Sequence, residues 1–249
     1  MLRLLDLFFG LFMDYIEYIF VIIGGCFSVY FYIKKIGFNV KSRFNFVSVL
    51  GSESRVDNIV LENKKDKSVC IYGLYAVIDD RYFLELENFK EPLILNNNGV
   101  LKIDTKPFSS LFLETVRYEL SFSSKIKLFL KLDTGYIQTN KKFCFFPKKI
   151  NKNLRLISKG IFKHNGIVYN SYARYILTYI FDNQMKTAFF SKYGRIYGEW
   201  SFHYNKIGKG QTEITDQDIR NLIKDHYSEI TSYQILIVNP NDLSTKELA

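Results

Sequence analysis

Residues able to do chemistry are present in this chain but scattered. The histidines His164, His203 and His226 stand far apart, and no Cys-x-x-Cys, His-x-x-x-His or His-Glu spacing links them. Metal and catalytic sites often show fixed offsets, because one turn or strand then aims two side chains at a common point. His164 falls in a turn-like His-Asn-Gly context and His226 on the polar side of a helical pattern, so neither reads as a ligand.

Carboxylates pair at Asp79-Asp80 and at Glu85 with Glu87. The first pair sits between a strand-like run and Arg81, which a turn explains. The second shares one face of "FLELE", since side chains two apart on a strand point the same way; a solvated sheet face is the expectation. "GKGQT" (208–212) lacks the spacing of a Walker loop, and no Ser or Thr follows its lysine. Cys70 and Cys144 lie in apolar runs and read as small core residues. No Gly-x-Ser-x-Gly occurs. The expectation is therefore a non-catalytic protein with no cofactor and no metal.

Charge is more informative. The chain of 249 residues carries a net +9. Between 125 and 155 there are nine basic residues, Lys125, Lys127, Lys131, Lys141, Lys142, Lys148, Lys149, Lys152 and Arg155, against one acidic residue, Asp133. Such a stretch can lie on an anionic leaflet, where each nearby Lys or Arg contributes about 1 kcal/mol. It can grip nucleic acid, with the interleaved Phe143, Phe145 and Phe146 stacking on bases. It can also be the solvated face of a basic domain.

The elements that carry these residues begin with "DYIEYIFVIIGGCFSVYFYIKK" (14–35). No charge falls between Tyr18 and Ile33. A span needs about 20 apolar residues, and 11–35 supplies them if Asp14 and Glu17 sit near the headgroups. Tyr15, Tyr18, Tyr30 and Tyr32 fall where an aromatic belt would place them. Three acidic residues precede the apolar run and bulky aromatics follow it, so signal cleavage is not expected. Lys34, Lys35, Lys41 and Arg43 follow the segment, and the positive-inside rule puts them in the cytoplasm. The location read from this is a bacterial inner membrane, N-terminus outside, bulk of the chain cytoplasmic. Few cysteines and no framework agree with a reducing compartment.

Short aromatic and β-branched runs dominate from Phe44 to Phe146, including "FNFVSVL", "SVCIYGLYAVID", "RYFLELENF" and "KIKLFLKLDTG". They read as an immunoglobulin-like β-sandwich over 40–152. Further strand-like runs, and a helix starting at Thr215 with Asp218 three residues on, make a small α+β domain over 153–241. Residues 1–10 read as a short N-terminal segment, 11–35 as the transmembrane helix and 242–249 as a polar tail. The fold class is membrane-anchored and mainly β.

The function expected is a protein-interaction or assembly module on a membrane tether, with membrane lipids and a protein partner or second copy as partners. An alternative is an oligomerising membrane effector, as in bacterial phage-defence or toxin systems, with Asp14, Glu17, Gly24 and Gly25 on the assembly face. A second alternative is a membrane-tethered nucleic-acid-binding protein.

Overall fold

The computed structural model describes residues 2–141, 144–150, 153–208, 212–227 and 229–248, with the side chains of 2–14 and of Glu17 outside the described set. An apolar run without proline winds into one helix, α1 (Leu2–Lys35), about 50 Å long at about 1.5 Å per residue. Its stretch Tyr18–Lys35 is long and apolar enough to cross a membrane, and none of that stretch is buried against the body. Lys34 and Lys35 in the last turn complement the negative helix end. Gly37, at φ +69°, turns the chain out of the helix. A Cβ there would lie 2.9 Å from the Cys144 carbonyl oxygen, so the turn requires glycine.

The chain then runs through β1 (Val40–Val47), β2 (Arg55–Asn63), β3 (Val69–Ile78), β4 (Tyr82–Leu95), β5 (Val100–Ile103), β6 (Ser110–Leu113), β7 (Val116–Tyr118), β8 (Ile126–Leu132), β9 (Gly135–Gln138) and β10 (Arg155–Gly160). β1-β2-β5 form a three-stranded sheet and β7-β6-β10-β4-β3-β8-β9 a seven-stranded one. Ile59 and Leu61 of the first and Ile71, Leu74, Ile78 and Leu130 of the second are wholly buried in one shared core. β3 is buried along most of its length, which its near-continuous apolar sequence requires. Asp79 and Asp80, at φ +51° and +56°, make the tight β3–β4 turn.

This arrangement is mainly β, but its strand order departs from the immunoglobulin pattern of two antiparallel sheets. β10 pairs parallel with β4 and antiparallel with β6. The seven-stranded sheet therefore takes in a strand from beyond residue 152.

The remaining strands are β11 (Phe162–His164), β12 (Ile167–Tyr169), β13 (Ala173–Phe181), β14 (Gln184–Ser191), β15 (Ile196–Gly198), β16 (Ser232–Val238) and β17 (Thr245–Glu247), with α2 (Asp216–His226) before β16. They give a hairpin, β11-β12, and a five-stranded sheet, β15-β14-β13-β16-β17. α2 packs Ile219 and Ile223 onto that sheet's core with Leu177 and Phe190. Thr215 accepts from the Asp218 amide while Asp218 accepts from the Thr215 amide at 2.7 Å, a reciprocal cap. The C-terminus is not simply a polar tail: Thr245–Glu247 adds to the edge of β16.

Candidate membrane-proximal site

The end of α1 is fastened to the body by a set of hydrogen bonds. The Asp66 amide donates to the Lys34 carbonyl at 3.2 Å. Phe38 and Cys144 exchange backbone bonds at 2.7 and 3.1 Å. The Lys65 ammonium donates to the Ile33 carbonyl at 2.5 Å, where the helix has spare acceptors. Lys65 is 3 % exposed. Burial, then the nearby Lys67 and Lys34, push its ammonium below the usual lysine range, while Asp66 opposes them. Lys67 caps the Phe38 ring, its Nζ 3.9 Å from the centroid. The β2–β3 loop, the β4–β5 loop and the segment after β9 all meet here. The Asn98 amide donates to the Lys65 carbonyl at 3.1 Å, and the Asn140 amide to that of Val40 at 2.9 Å. In the β4–β5 loop it is Asn98, at φ +48°, that takes the left-handed conformation.

The nine basic residues separate into groups. Lys127 and Lys125 both pair with Asp80 at the β3–β4 turn, Lys125 at 3.7 Å. Arg155, at the start of β10, pairs at 3.1 Å with Glu114, which follows the neighbouring strand β6. Lys131 stands on β8 opposite Tyr136. Lys141, Lys148 and Lys149 are exposed, and none makes an ion pair among the described residues. Lys142 and Lys152, with Phe143, lie outside the described residues. The single basic stretch of the sequence is thus partly neutralised; of its described members without an ion pair, Lys131 stands on β8, and Lys141, Lys148 and Lys149 lie on the segment that touches the helix end.

That segment also covers a sheet edge. Lys148 and Tyr136 exchange backbone bonds at 2.8 and 2.9 Å, an isolated bridge that covers part of the free side of β9. Phe145 and Phe146 are left 60 % and 79 % exposed. Phe145 lines two cavities. One, about 230 Å³, is bounded by Tyr32, Ile33, Ile36 and Lys65. The other, about 300 Å³, lies on the outer face of β8 and β9 against Phe129, Tyr136, Lys141 and Lys148. No carboxylate lines either.

On the helix, Gly24 and Gly25 have open space within 4 Å of an added Cβ, and Ser28 donates back to the Gly24 carbonyl at 2.8 Å. The side chains of Asp14 and Glu17 lie outside the described set. A second polar cluster escaped sequence reasoning. Glu85 accepts from the Tyr75 hydroxyl at 2.7 Å, and buried Glu87 from the Lys106 amide at 2.6 Å. Lys159 donates to the Leu86 carbonyl where β10 diverges from β4. The pair expected on a solvated face is thus half in the protein, because β10 and the chain near Lys106 cover it. Burial, then Glu85, raises the Tyr75 phenol beyond the usual range, so it is a donor rather than a base. Lys159 is spent on a strand gap, which is a structural role.

Cys70 is exposed on β3, opposite Ile94, rather than in the core; Cys144 packs at the core's margin. His164 bonds Thr178 at 2.9 Å, and burial lowers its pKa. His203 and His226 are exposed. Among the described residues no three of His, Cys, Asp and Glu come together as a metal site. Searches against family models, curated proteins and solved structures find no match, so the reading of the helix–body junction rests on its own geometry.

Proposed function

We propose that this chain is a single-pass membrane protein whose β-rich body is a non-catalytic interaction module held against the membrane surface. The observation that carries the reading is α1: an apolar helix that the body leaves bare, yet whose last turn is bound to the body by Lys65 and Asp66. Bare apolar surface of that length has a hydrophobic cost in water that a bilayer removes. The bonded junction favours a body held close to the leaflet rather than swinging on a free linker. Lys34, Lys35 and the unpaired Lys141, Lys148 and Lys149 then favour the cytoplasmic leaflet, and a bacterial inner membrane with the N-terminus outside is the topology proposed. The partner is another protein or a second copy of the chain, met through the sheets and loops away from the junction.

Deleting residues up to Lys35 tests the reading. None of the described side chains of α1 belongs to a core cluster of the body, so the remaining body is expected to fold and to leave the membrane fraction. Retention of that body through carbonate extraction counts against the anchor. A reporter active only outside the cytoplasm, fused after Ala249, should stay dark; a bright signal inverts the orientation.

The oligomerising effector is the second reading, favoured by the open surface at Gly24 and Gly25, where a neighbouring helix could approach closely. Nucleic-acid binding retains the exposed Phe145 and Phe146 but draws on the same lysines as the leaflet.

A further inference from the structure

Resting on the membrane reading above, we infer that the junction binds one anionic phospholipid of the leaflet facing Lys34 and Lys35. Its phosphate would lie between Lys141 and Lys148, and one acyl chain would lie along Tyr32, Ile33, Ile36 and Phe145.

Three features of the junction converge on such a ligand. The smaller cavity opens beside the last turn of α1, the depth at which hydrocarbon gives way to headgroups, and only Lys65 interrupts its apolar wall. The larger cavity shares Phe145 with it and carries Lys141 and Lys148 at its rim. Both ammonium groups are exposed and make no ion pair among the described residues, so a phosphate would meet charge that is not already neutralised. An apolar slot and a cationic cavity that share Phe145 as a wall match an amphiphile with an anionic head. Contact with a flat charged surface needs the lysines alone and leaves the slot unexplained. A free anion needs the rim but not the apolar slot, and a neutral lipid needs the slot but not the rim. Backbone bonds on either side of Phe145 hold the segment that both cavities share, Cys144 to Phe38 and Lys148 to Tyr136.

The test uses the full chain in two nanodisc preparations, phosphatidylcholine alone and phosphatidylcholine with a minority of phosphatidylglycerol. Native mass spectrometry of the released protein reads what stays bound. One retained phosphatidylglycerol per chain is expected, with loss of at least about fivefold in occupancy for Lys141→Gln/Lys148→Gln, the factor that one lysine near an anionic surface is worth. Phe145→Ser should lose it as well. Lys125→Gln/Lys127→Gln, from the same basic stretch but paired with Asp80, should retain it. Circular dichroism of each variant confirms the fold.

Insertion into both preparations without a retained phosphatidylglycerol overturns the site and leaves the anchor standing. Failure to enter either bilayer overturns both. Equal retention by the Lys141→Gln/Lys148→Gln variant assigns the lipid elsewhere and overturns the site. If no phosphatidylglycerol is retained and inorganic phosphate binds the detergent-solubilised chain through Lys141 and Lys148, the site is a bare anion site; if a short single-stranded oligonucleotide binds there instead, it is a nucleic-acid site; either result refutes the lipid.

Discussion

The Lys65 ammonium reaches across from the β2–β3 loop to the Ile33 carbonyl at 2.5 Å, and the next residue, Asp66, places its amide on Lys34 at 3.2 Å. Two consecutive loop residues thus satisfy two consecutive carbonyls of the last turn of α1. Lys65 is in turn held from below, because the Asn63 side chain accepts from its amide at 3.1 Å. The charge compensates the negative end of the helix, and the geometry sets the direction in which the helix leaves the body.

Replacing Lys65 with Ala removes that contact and leaves the Ile33 carbonyl to find water. Hydrogen exchange in detergent should accelerate at the amides of Asp66 and Phe38, with β3 core amides such as Leu74 unchanged. A local effect of about 1–2 kcal/mol is expected from the loss of one charge-assisted bond. Equal acceleration throughout β3 would mean that Lys65 supports the whole fold rather than the junction.

Among the exposed lysines, the structure separates those already neutralised from those that are not. Changing Lys141 and Lys148 to Glu should weaken binding of the body, residues 36–249, to anionic vesicles at low salt. Changing Lys125 and Lys127 to Glu should weaken it less, since those two already share Asp80. Raising ionic strength should erase most of the difference, as the Debye length falls from about 30 Å at 0.01 M to about 10 Å at 0.1 M. Identical losses for the two variants, measured by vesicle co-sedimentation, would show that only total charge matters and that the junction has no special place.

Much of the body is legible in the sequence for simple reasons. Alternation in "KIKLFLKLD" gives β8 with Leu128, Leu130 and Leu132 buried and Lys127 and Lys131 outward. His164-Asn165-Gly166 and the Thr215 cap mark a turn and a helix start by chemistry that acts within a few residues. What stays hidden depends on partners distant in the chain. β10 has the same polar-apolar mixture whether it starts a new sheet or, as found, joins β4 and β6. The nine-residue basic stretch looks uniform until Asp80 and Glu114 arrive from elsewhere to neutralise three of its members. Lys65 and Lys67 lie in "KKDK" (64–67), a turn-like charged cluster by sequence, and nothing local reveals that a helix end and the Phe38 ring lie against them. Cys70 shows the reverse case: an apolar neighbourhood in sequence, but the outward side of the pleat.

Asp57 gives the body its clearest acid dependence. Its carboxylate is nearly buried and accepts from the Thr105 amide at 2.7 Å, the Asn58 amide at 2.9 Å and the Arg55 guanidinium at 2.9 Å. Burial pushes its pKa up, but the two amides and Arg55 outweigh burial and hold it below the ordinary aspartate value. A carboxyl lowered on folding stabilises the native state at pH above its unfolded value, about 3.9, and that contribution is lost as pH falls through the lower folded value. Asp57→Asn keeps one acceptor and removes the charge: both amides bond Oδ1, so an amide oxygen there still accepts from them, while an NH2 group faces the Arg55 guanidinium in place of Oδ2. In detergent at neutral pH the variant should be about 2–3 kcal/mol less stable to urea, near the cost of breaking a largely buried charged pair. As pH falls past the ordinary aspartate value and through the lower folded one, the wild-type carboxyl loses its charge too, so the gap between the two proteins should narrow. A gap that stays constant from neutral pH through that range would mean that the carboxylate's shape, rather than its ionisation, ties Thr105 to β2.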